Sequence, residues 1–211
     1  MRFDGKVALV TGSSRNLGKA VAHGFGKEGG SVVINARAST AELDATANEF
    51  REQGIRVLSL QTDITDSAQV DGMVRKALDT FGRIDNLVLS ARIGGPHRPL
   101  LETTDEEWKA MHGSMHSTFY LLRAVLPGML NQKSGHIVSI GGNLGDPGAG
   151  LLVAARPSFG GGRAALMRYV QRQYGPHIRV NSVSPGIMDT TRNPRIIPMT
   201  PAASPNTTPS A

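Results

Sequence analysis

The chain has 211 residues, a length that allows one full-sized domain and leaves little room for two. It contains no cysteine, which excludes disulfide scaffolds, thiolate metal sites and thiol nucleophiles. The formal charge is +6, but residues 1–155 carry 16 basic and 16 acidic side chains and are therefore neutral. The whole excess lies in residues 156–211, where seven arginines accompany Asp189. These counts exclude a uniformly basic protein.

The sequence also argues against a membrane protein. No apolar run approaches the roughly 18 residues of a membrane span. The first residues lack the apolar stretch and the small-residue cleavage site of a signal peptide. We therefore expect a soluble, cytoplasmic protein with no membrane partner.

Short apolar runs rich in β-branched residues alternate with longer segments of helical period. This alternation is typical of a doubly wound parallel sheet with helices on both faces, a three-layer α/β fold. Thr104 and Glu107 have capping-box spacing and predict the start of a long helix that runs towards Pro127 and Gly128. About six helices are expected. The six predicted strands are Val7–Thr11, Val32–Asn35, Val57–Leu60, Leu87–Ser90, His136–Ile140 and Ile178–Val183.

The end of the chain differs from the rest in composition. From Pro185 onwards the helical and strand periods are lost, and this segment holds six of the 12 prolines together with many Ser and Thr. Such a composition buries too little apolar surface to offset the entropy of ordering the chain. We therefore predict a single domain over residues 1–190 and a disordered tail over residues 191–211.

The first predicted strand runs directly into TGSSRNLG, residues Thr11–Gly18, which opens the first helix. Glycine allows close approach of the backbone, and the N-terminus of a helix attracts anions, so this loop predicts a phosphate cradle. The loop resembles the TGxxxGxG motif of the short-chain dehydrogenase/reductase family, with Asn16 in place of the middle glycine. Because Asn tolerates positive φ, the turn can still form.

The resemblance covers most of residues 5–190 and is closest in general to ketoacyl-type reductases. It implies a Rossmann-type domain that binds a nicotinamide dinucleotide and acts on a small carbonyl or alcohol. Arg37 stands at the end of the second strand, where an acidic residue would bind the ribose 2′-OH of NAD. With Arg15 it would instead neutralise a 2′-phosphate, which predicts NADP(H); the alternative for Arg37 is a solvated surface arginine. The cofactor-binding residues that the resemblance implies are Gly12, Ser14, Arg15, Asn16, Leu17, Gly18, Arg37, Asp63, Ile64, Ala91, Arg163, Pro185 and Gly186.

The catalytic positions depart from the family. There a Tyr supplies a proton, a Lys four residues later lowers its pKa, a Ser orients the carbonyl and an Asn on the long helix sustains a water relay. The matching positions hold Phe159, Arg163, Gly142 and Met115. Phe has no proton to give, and arginine stays charged at neutral pH. No catalytic residue is therefore assigned, and loss of the general acid alone is expected to cost roughly 10²–10⁴ in rate.

Other residues offer weaker candidates for chemistry. Ser158 presents a hydroxyl beside Phe159, but a loop serine is more often structural. His112 and His116 have the i, i+4 spacing of a metal pair, but no third ligand is evident. Two surface histidines are the favoured interpretation, and no metal is predicted.

Two functions remain open at this point. The first is an NADP(H)-dependent oxidoreductase, and the second is a non-catalytic NADP(H)-binding or regulatory protein. Nucleic-acid binding is disfavoured because the arginines near the end lack regularly interleaved aromatics. The two long helices are candidates for pairing between subunits, and the sixth strand is expected to be an unpaired edge.

Overall fold

A computed structural model describes residues 1–38, 40–91, 93, 100–141, 155–185 and 188, and of Leu100 and residues 155–159 the backbone alone. The predicted tail, residues 191–211, lies outside the described residues. The strands are β1 (Val7–Val10), β2 (Ser31–Ala36), β3 (Val57–Gln61), β4 (Asn86–Leu89), β5 (Gly135–Ile140) and β6 (Ile178–Val183). The helices are α1 (Asn16–Lys27), α2 (Thr40–Glu52), α3 (Ser67–Phe81), α4 (Asp105–Asn131) and α5 (Ala155–Tyr174), with a 3-10 turn at Leu100–Glu102.

The strands form one parallel sheet in the order β3-β2-β1-β4-β5-β6. All six predicted strands are confirmed, and so is the doubly wound fold class. Chain order reverses between β1 and β4, and in such sheets the crevice at the carboxyl ends of these two strands is the place where ligands bind.

Helices lie on both faces of the sheet because alternate strand residues point to opposite sides. Leu9 belongs to a core cluster that contains residues of α3, α4 and α5. Its neighbour Val10 belongs to a second cluster with residues of α1 and α2, among them the fully buried Phe50. β1 and β2 are buried along their whole length.

The β6 edge of the sheet is less covered than the inner strands β1 and β2. Among the described residues, β6 pairs with β5 alone, as predicted. The β6 residues after Ile178 are half-buried or exposed, and Val183 is 50% exposed. The backbone N–H of Val180 donates to Oε1 of Gln171 on α5 at 2.8 Å, so a side chain satisfies one donor of this strand.

The long helix α4 begins as predicted and ends later. The Thr104 hydroxyl accepts from the Glu107 N–H at 3.2 Å, and the Glu107 carboxylate accepts from the Thr104 N–H at 3.1 Å. The helix does not stop at Pro127 and Gly128 but continues to Asn131. Met129 is fully buried in the core, and this packing offsets the helix-breaking tendency of proline near the last turn.

Candidate functional site

The loop between β1 and α1 is built on glycines that no other residue replaces without displacing backbone. A Cβ on Gly18 would lie 2.3 Å from the carbonyl oxygen of Gly12. A Cβ on Gly12 would lie 2.7 Å from Cα of Ala91, and Gly12 has φ +64°. Asn16 adopts φ 51°, which confirms that Asn takes the left-handed conformation of the missing glycine. The geometry therefore fits the tight phosphate-binding turn that the sequence predicts.

In the described part of the chain, the N-cap residue of the helix that follows this loop makes no capping hydrogen bond with its side chain. Arg15 occupies the N-cap position in an extended conformation and makes no side-chain hydrogen bond to the helix. A helix start of this kind, directed at the end of a glycine turn, favours an anion. The pyrophosphate of a dinucleotide is such an anion.

Three side chains that the sequence analysis did not single out hold the loop in place. The Asn35 amide donates to the Thr62 carbonyl at 3.0 Å, and its backbone N–H donates to Oγ of Ser13 at 2.9 Å. The Ser13 N–H donates back to the Asn35 carbonyl at 2.9 Å. Oγ1 of Thr46 on α2 donates to the Ser14 carbonyl at 2.7 Å. The only sequence signal for Asn35 is a polar residue inside an otherwise apolar strand.

Thr11 connects the loop to the other side of the crevice. Its hydroxyl oxygen accepts from the N–H groups of Ser90 and Ala91, each at 3.1 Å. The carboxyl ends of β1 and β4 are thereby tied together at the point where chain order reverses. Ala91 lies directly against Gly12, as the close approach of its Cα shows.

The residues predicted to read the ribose follow β1 and β2. Arg37 is exposed just beyond the end of β2, and its carbonyl accepts from Nε2 of Gln61 at 3.2 Å. Arg15 is not a lone cation, because its Nη1 donates to Oε1 of Glu42 at 3.0 Å. Sequence reasoning missed this acidic neighbour.

The remaining cofactor positions divide between loop and core. Oδ1 of Asp63 accepts from the Thr65 N–H and hydroxyl at 2.9 and 2.7 Å, a turn that fixes this carboxylate just after β3. Ile64 is 7% exposed and packs in the core, and Leu17 is half-buried on α1. Ile64 thus contributes apolar packing beside the loop that follows β3.

Of the predicted catalytic positions, the structure describes the side chains of Arg163 and Met115, and the Arg163 guanidinium reaches the carboxyl end of β5. Nη2 of Arg163 donates to the carbonyl of Ile140, the last residue of β5, at 2.8 Å. Burial lowers the pKa of the Arg163 guanidinium from its ordinary value, yet arginine stays protonated at neutral pH. Met115 on α4 packs against α5, with Sδ and Cε 3.5 Å from the place of a Cβ on Gly162. Neither residue supplies a proton donor suited to a carbonyl.

Other predicted residues fall at the margins of the described structure. Pro185 is half-buried after β6. Gly142 and Gly186 lie outside the described residues, as do the side chains of Ser158 and Phe159.

The histidines of α4 form a row of rings. Nδ1 of His112 lies 3.1 Å from the Trp108 carbonyl, and the ring centroids of His112 and His116 are 6.4 Å apart. Within the described ranges, no three His, Cys, Asp or Glu side chains are grouped as metal ligands. In the same part of the chain, no helix combines the length and apolarity needed to cross a membrane.

Comparisons with known proteins agree with this geometry. The family model for short chain dehydrogenase matches residues 6–200. A subunit, BbsD, of the hydroxy(phenyl)methylsuccinyl-CoA dehydrogenase of Thauera aromatica is 36% identical over 90% of this chain and 76% of its own. The 3-oxoacyl-acyl-carrier-protein reductase FabG of Escherichia coli is 33% identical over 90% of this chain and 76% of its own.

A solved structure gives the same result. A metagenomic short-chain oxidoreductase, crystallised in complex with NADP, superposes with a TM-score of 0.80 at 32% identity. The superposition covers 90% of this chain and 86% of that one. The chain therefore belongs to the short-chain dehydrogenase family of oxidoreductases.

Proposed function

We propose that this protein binds NADP(H) in the crevice between β1 and β4 and that it is by descent an oxidoreductase of carbonyls or alcohols. The observation that carries the proposal is the glycine turn, in which Gly12 and Gly18 leave room only for backbone. Arg37 and Arg15 supply positive charge beyond the ends of β2 and β1, where the adenosine ribose of a dinucleotide lies in this fold. The solved relative in complex with NADP supports the same choice.

Each part of the site has a separate task in this proposal. The glycine turn and the start of α1 hold the pyrophosphate, and Arg37 and Arg15 pair with the 2′-phosphate. Arg163 on α5, whose guanidinium lies at the end of β5, donates hydrogen bonds to the ribose hydroxyls. The bound cofactor supplies the hydride-transfer chemistry.

Titration of NADPH into the purified protein, followed by calorimetry, tests the proposal. Arg37→Asp removes a charge-assisted contact and is expected to weaken NADPH binding about 10–100-fold. Arg51→Asp changes the charge equally at an exposed position near the other end of α2 and is expected to have little effect. Absence of binding at millimolar NADPH, or equal effects of the two substitutions, would contradict the proposal.

The second candidate function is a non-catalytic protein that uses NADP(H) as a structural or regulatory ligand. Two observations favour it: the guanidinium of Arg163 hydrogen-bonds a backbone carbonyl, and Met115 packs against α5. Neither position holds the proton-transfer group found in the family. A screen with NADPH and varied ketones, quinones and acyl thioesters separates the two candidates. Turnover that His112→Ala or Ser158→Ala abolishes would exclude the non-catalytic function.

Restoring the family side chains gives a complementary test. The triple variant Phe159→Tyr, Arg163→Lys, Gly142→Ser reintroduces the missing proton donor, its lysine and the carbonyl-orienting hydroxyl. If side chains alone are lacking, this variant turns over a carbonyl substrate that the unmodified protein does not. Continued inactivity, with NADPH binding retained, would place the defect elsewhere in the chain.

The proposal also includes self-association through α4. Phe119 and Trp108 on this helix are 49% and 37% exposed, and the Arg123 guanidinium lies 5.2 Å from the centroid of the Phe119 ring. Sedimentation of the protein and of Phe119→Ser tests whether this face joins two copies. A cytoplasmic location and the absence of nucleic-acid partners stay predictions.

A further inference from the structure

The ion pair between Arg15 and Glu42 places an anion beside the predicted 2′-phosphate site. Arg15 is the N-cap of α1, and Glu42 lies in the first turn of α2. Nη1 of Arg15 and Oε1 of Glu42 are 3.0 Å apart, and the two side chains are 49% and 43% exposed. One of the two cations predicted to pair with the phosphate therefore already has a counter-ion from the chain itself.

The carboxylate of Glu42 is held only on one side. Its Oε1 accepts from Arg15, whereas its Oε2 is buried and has no hydrogen-bond partner among the described residues. An orphaned carboxylate oxygen is costly. Among the described residues, Arg15 is therefore the group that offsets the negative charge of the Glu42 carboxylate.

The contact between α1 and α2 does not depend on Glu42. A second ion pair, Lys19 to Glu49 at 2.5 Å, joins the same two helices one turn further along α1. Thr46 also ties α2 to the carbonyl of Ser14. Removal of the Glu42 charge is thus expected to leave the loop in place.

We propose that Glu42 is a specificity-determining residue that competes with the 2′-phosphate for Arg15. This inference rests on the proposed binding of NADP(H). A 2′-phosphate brings up to two negative charges to a guanidinium that already carries a carboxylate, and the two anions repel each other. NADH brings a neutral hydroxyl to the same place and meets no such opposition. Glu42 therefore lowers the preference of this site for NADPH over NADH.

The alternative role for Glu42 is to aim Arg15 at the phosphate. The two roles predict opposite signs, because loss of a competitor tightens NADPH binding and loss of a positioning contact weakens it. Glu42→Gln separates them cleanly. Glutamine keeps the shape of the side chain and a carbonyl oxygen that accepts from Arg15, while it removes the charge and replaces the second oxygen by an NH₂ group.

The test measures the dissociation constants of NADPH and NADH for the unmodified protein, Glu42→Gln and the matched control Glu49→Gln. Competition predicts that Glu42→Gln binds NADPH roughly fivefold more tightly and NADH with unchanged affinity. Glu49→Gln removes the acidic partner of the other ion pair between the same helices. It is expected to change neither the NADPH nor the NADH dissociation constant. In an Arg15→Met background, Glu42→Gln is expected to keep only the part of its effect that comes from direct repulsion between the two anions.

Several outcomes overturn the proposal while the proposed function stands. These are weaker or unchanged NADPH binding by Glu42→Gln, equal tightening of both nucleotides, and an effect of undiminished size without Arg15. Failure of the unmodified protein to bind either nucleotide would instead overturn the proposed function and this inference with it.

Discussion

Two parts of the sheet, the inner strands β1 and β2 and the β5–β6 end, differ in how firmly the described residues enclose them. β1 and β2 are buried on both faces. The side chains of Thr11 and Asn35 connect the segments at the carboxyl ends of the strands by hydrogen bonds. On β5, every second residue is only half-buried, and β6 is mostly exposed beyond Ile178. Core packing therefore fixes the loops that are proposed to bind the cofactor, while the β5–β6 end is less firmly packed.

This contrast matches the distribution of the family motifs. The glycine loop keeps its required backbone geometry with one substitution, because Asn16 adopts the left-handed conformation. At the β5–β6 end, Arg163 and Met115 occupy positions where the resemblance expects other side chains. The protein thus combines a glycine loop with the backbone geometry that the resemblance predicts and a β5–β6 end where the described side chains differ from those it implies.

The largest expected effect comes from truncating one apolar side chain on an inner strand and one on the edge strand β6. Ile34 on β2 is 0% exposed and Val183 on β6 is 50% exposed. Ile34→Ala is expected to lower the free energy of unfolding by about 2–5 kcal/mol. Val183→Ala is expected to change it by less than about 0.5 kcal/mol. Urea denaturation measures the free energy of unfolding of both variants. Equal decreases would show that the β5–β6 end is as well packed as the inner strands β1 and β2.

The next effect tests whether the glycine turn is essential to cofactor binding. Gly18→Ala forces a Cβ against the Gly12 carbonyl, an overpacking expected to cost about 1–3 kcal/mol in stability and to weaken NADPH binding. Gly24 lies on the same helix with open space around its Cα. Gly24→Ala is expected to leave binding unchanged and to raise stability slightly. If both variants bind NADPH like the unmodified protein, the turn does not form the phosphate site.

A third prediction separates stability from binding at the amino end of the sheet. The Asp85 side chain is 4% exposed and pairs with Lys6 at 3.2 Å and Arg83 at 2.6 Å. Burial works to raise the pKa of Asp85, but hydrogen bonds, chiefly from Arg83, outweigh it and hold the pKa below its ordinary value. This contribution to stability is fully present above the ordinary pKa, about 3.9, and is lost as pH falls through the lower folded value.

Asp85→Asn is accordingly expected to cost about 1–2 kcal/mol at neutral pH. The difference from the unmodified protein should shrink on acidification through that range. NADPH affinity at neutral pH should not change, because Asp85 lies at the amino ends of β1 and β4, whereas the glycine loop follows the carboxyl end of β1. Denaturation curves at several pH values test the first two statements, and calorimetry tests the third. A stability difference independent of pH would contradict the assignment.

The smallest effect concerns His136 on β5, which lies in register with Arg179 on β6. Burial first, and then the charge of Arg179, lower the pKa of His136. Its contribution to stability is therefore lost as pH falls below the ordinary histidine value, about 6.5. Arg179→Gln should raise the pKa measured by NMR but leave it below that value, because burial is the larger cause. An unchanged pKa would show that Arg179 does not act on His136.

Most of the framework could be predicted from the sequence, because buried parallel strands are short apolar runs and a glycine turn has a fixed spacing. The features that were missed depend on contacts between distant segments. Asn35 was not recognised because its partner Thr62 comes just after a neighbouring strand, β3. Glu42 was not recognised because its contact with Arg15 needs two packed helices. Pro127 misled the prediction of the end of α4, since burial of Met129 outweighs a local preference.

Hydrogen–deuterium exchange with and without NADPH tests most directly whether the cofactor half is a working site. The account predicts slower exchange in residues 11–18 and around Arg37 on addition of NADPH. Exchange in β6 beyond Ile178 should change little. Protection confined to α5 and β6, or none at saturating NADPH, would contradict the assignment of the cofactor to the β1–β4 crevice.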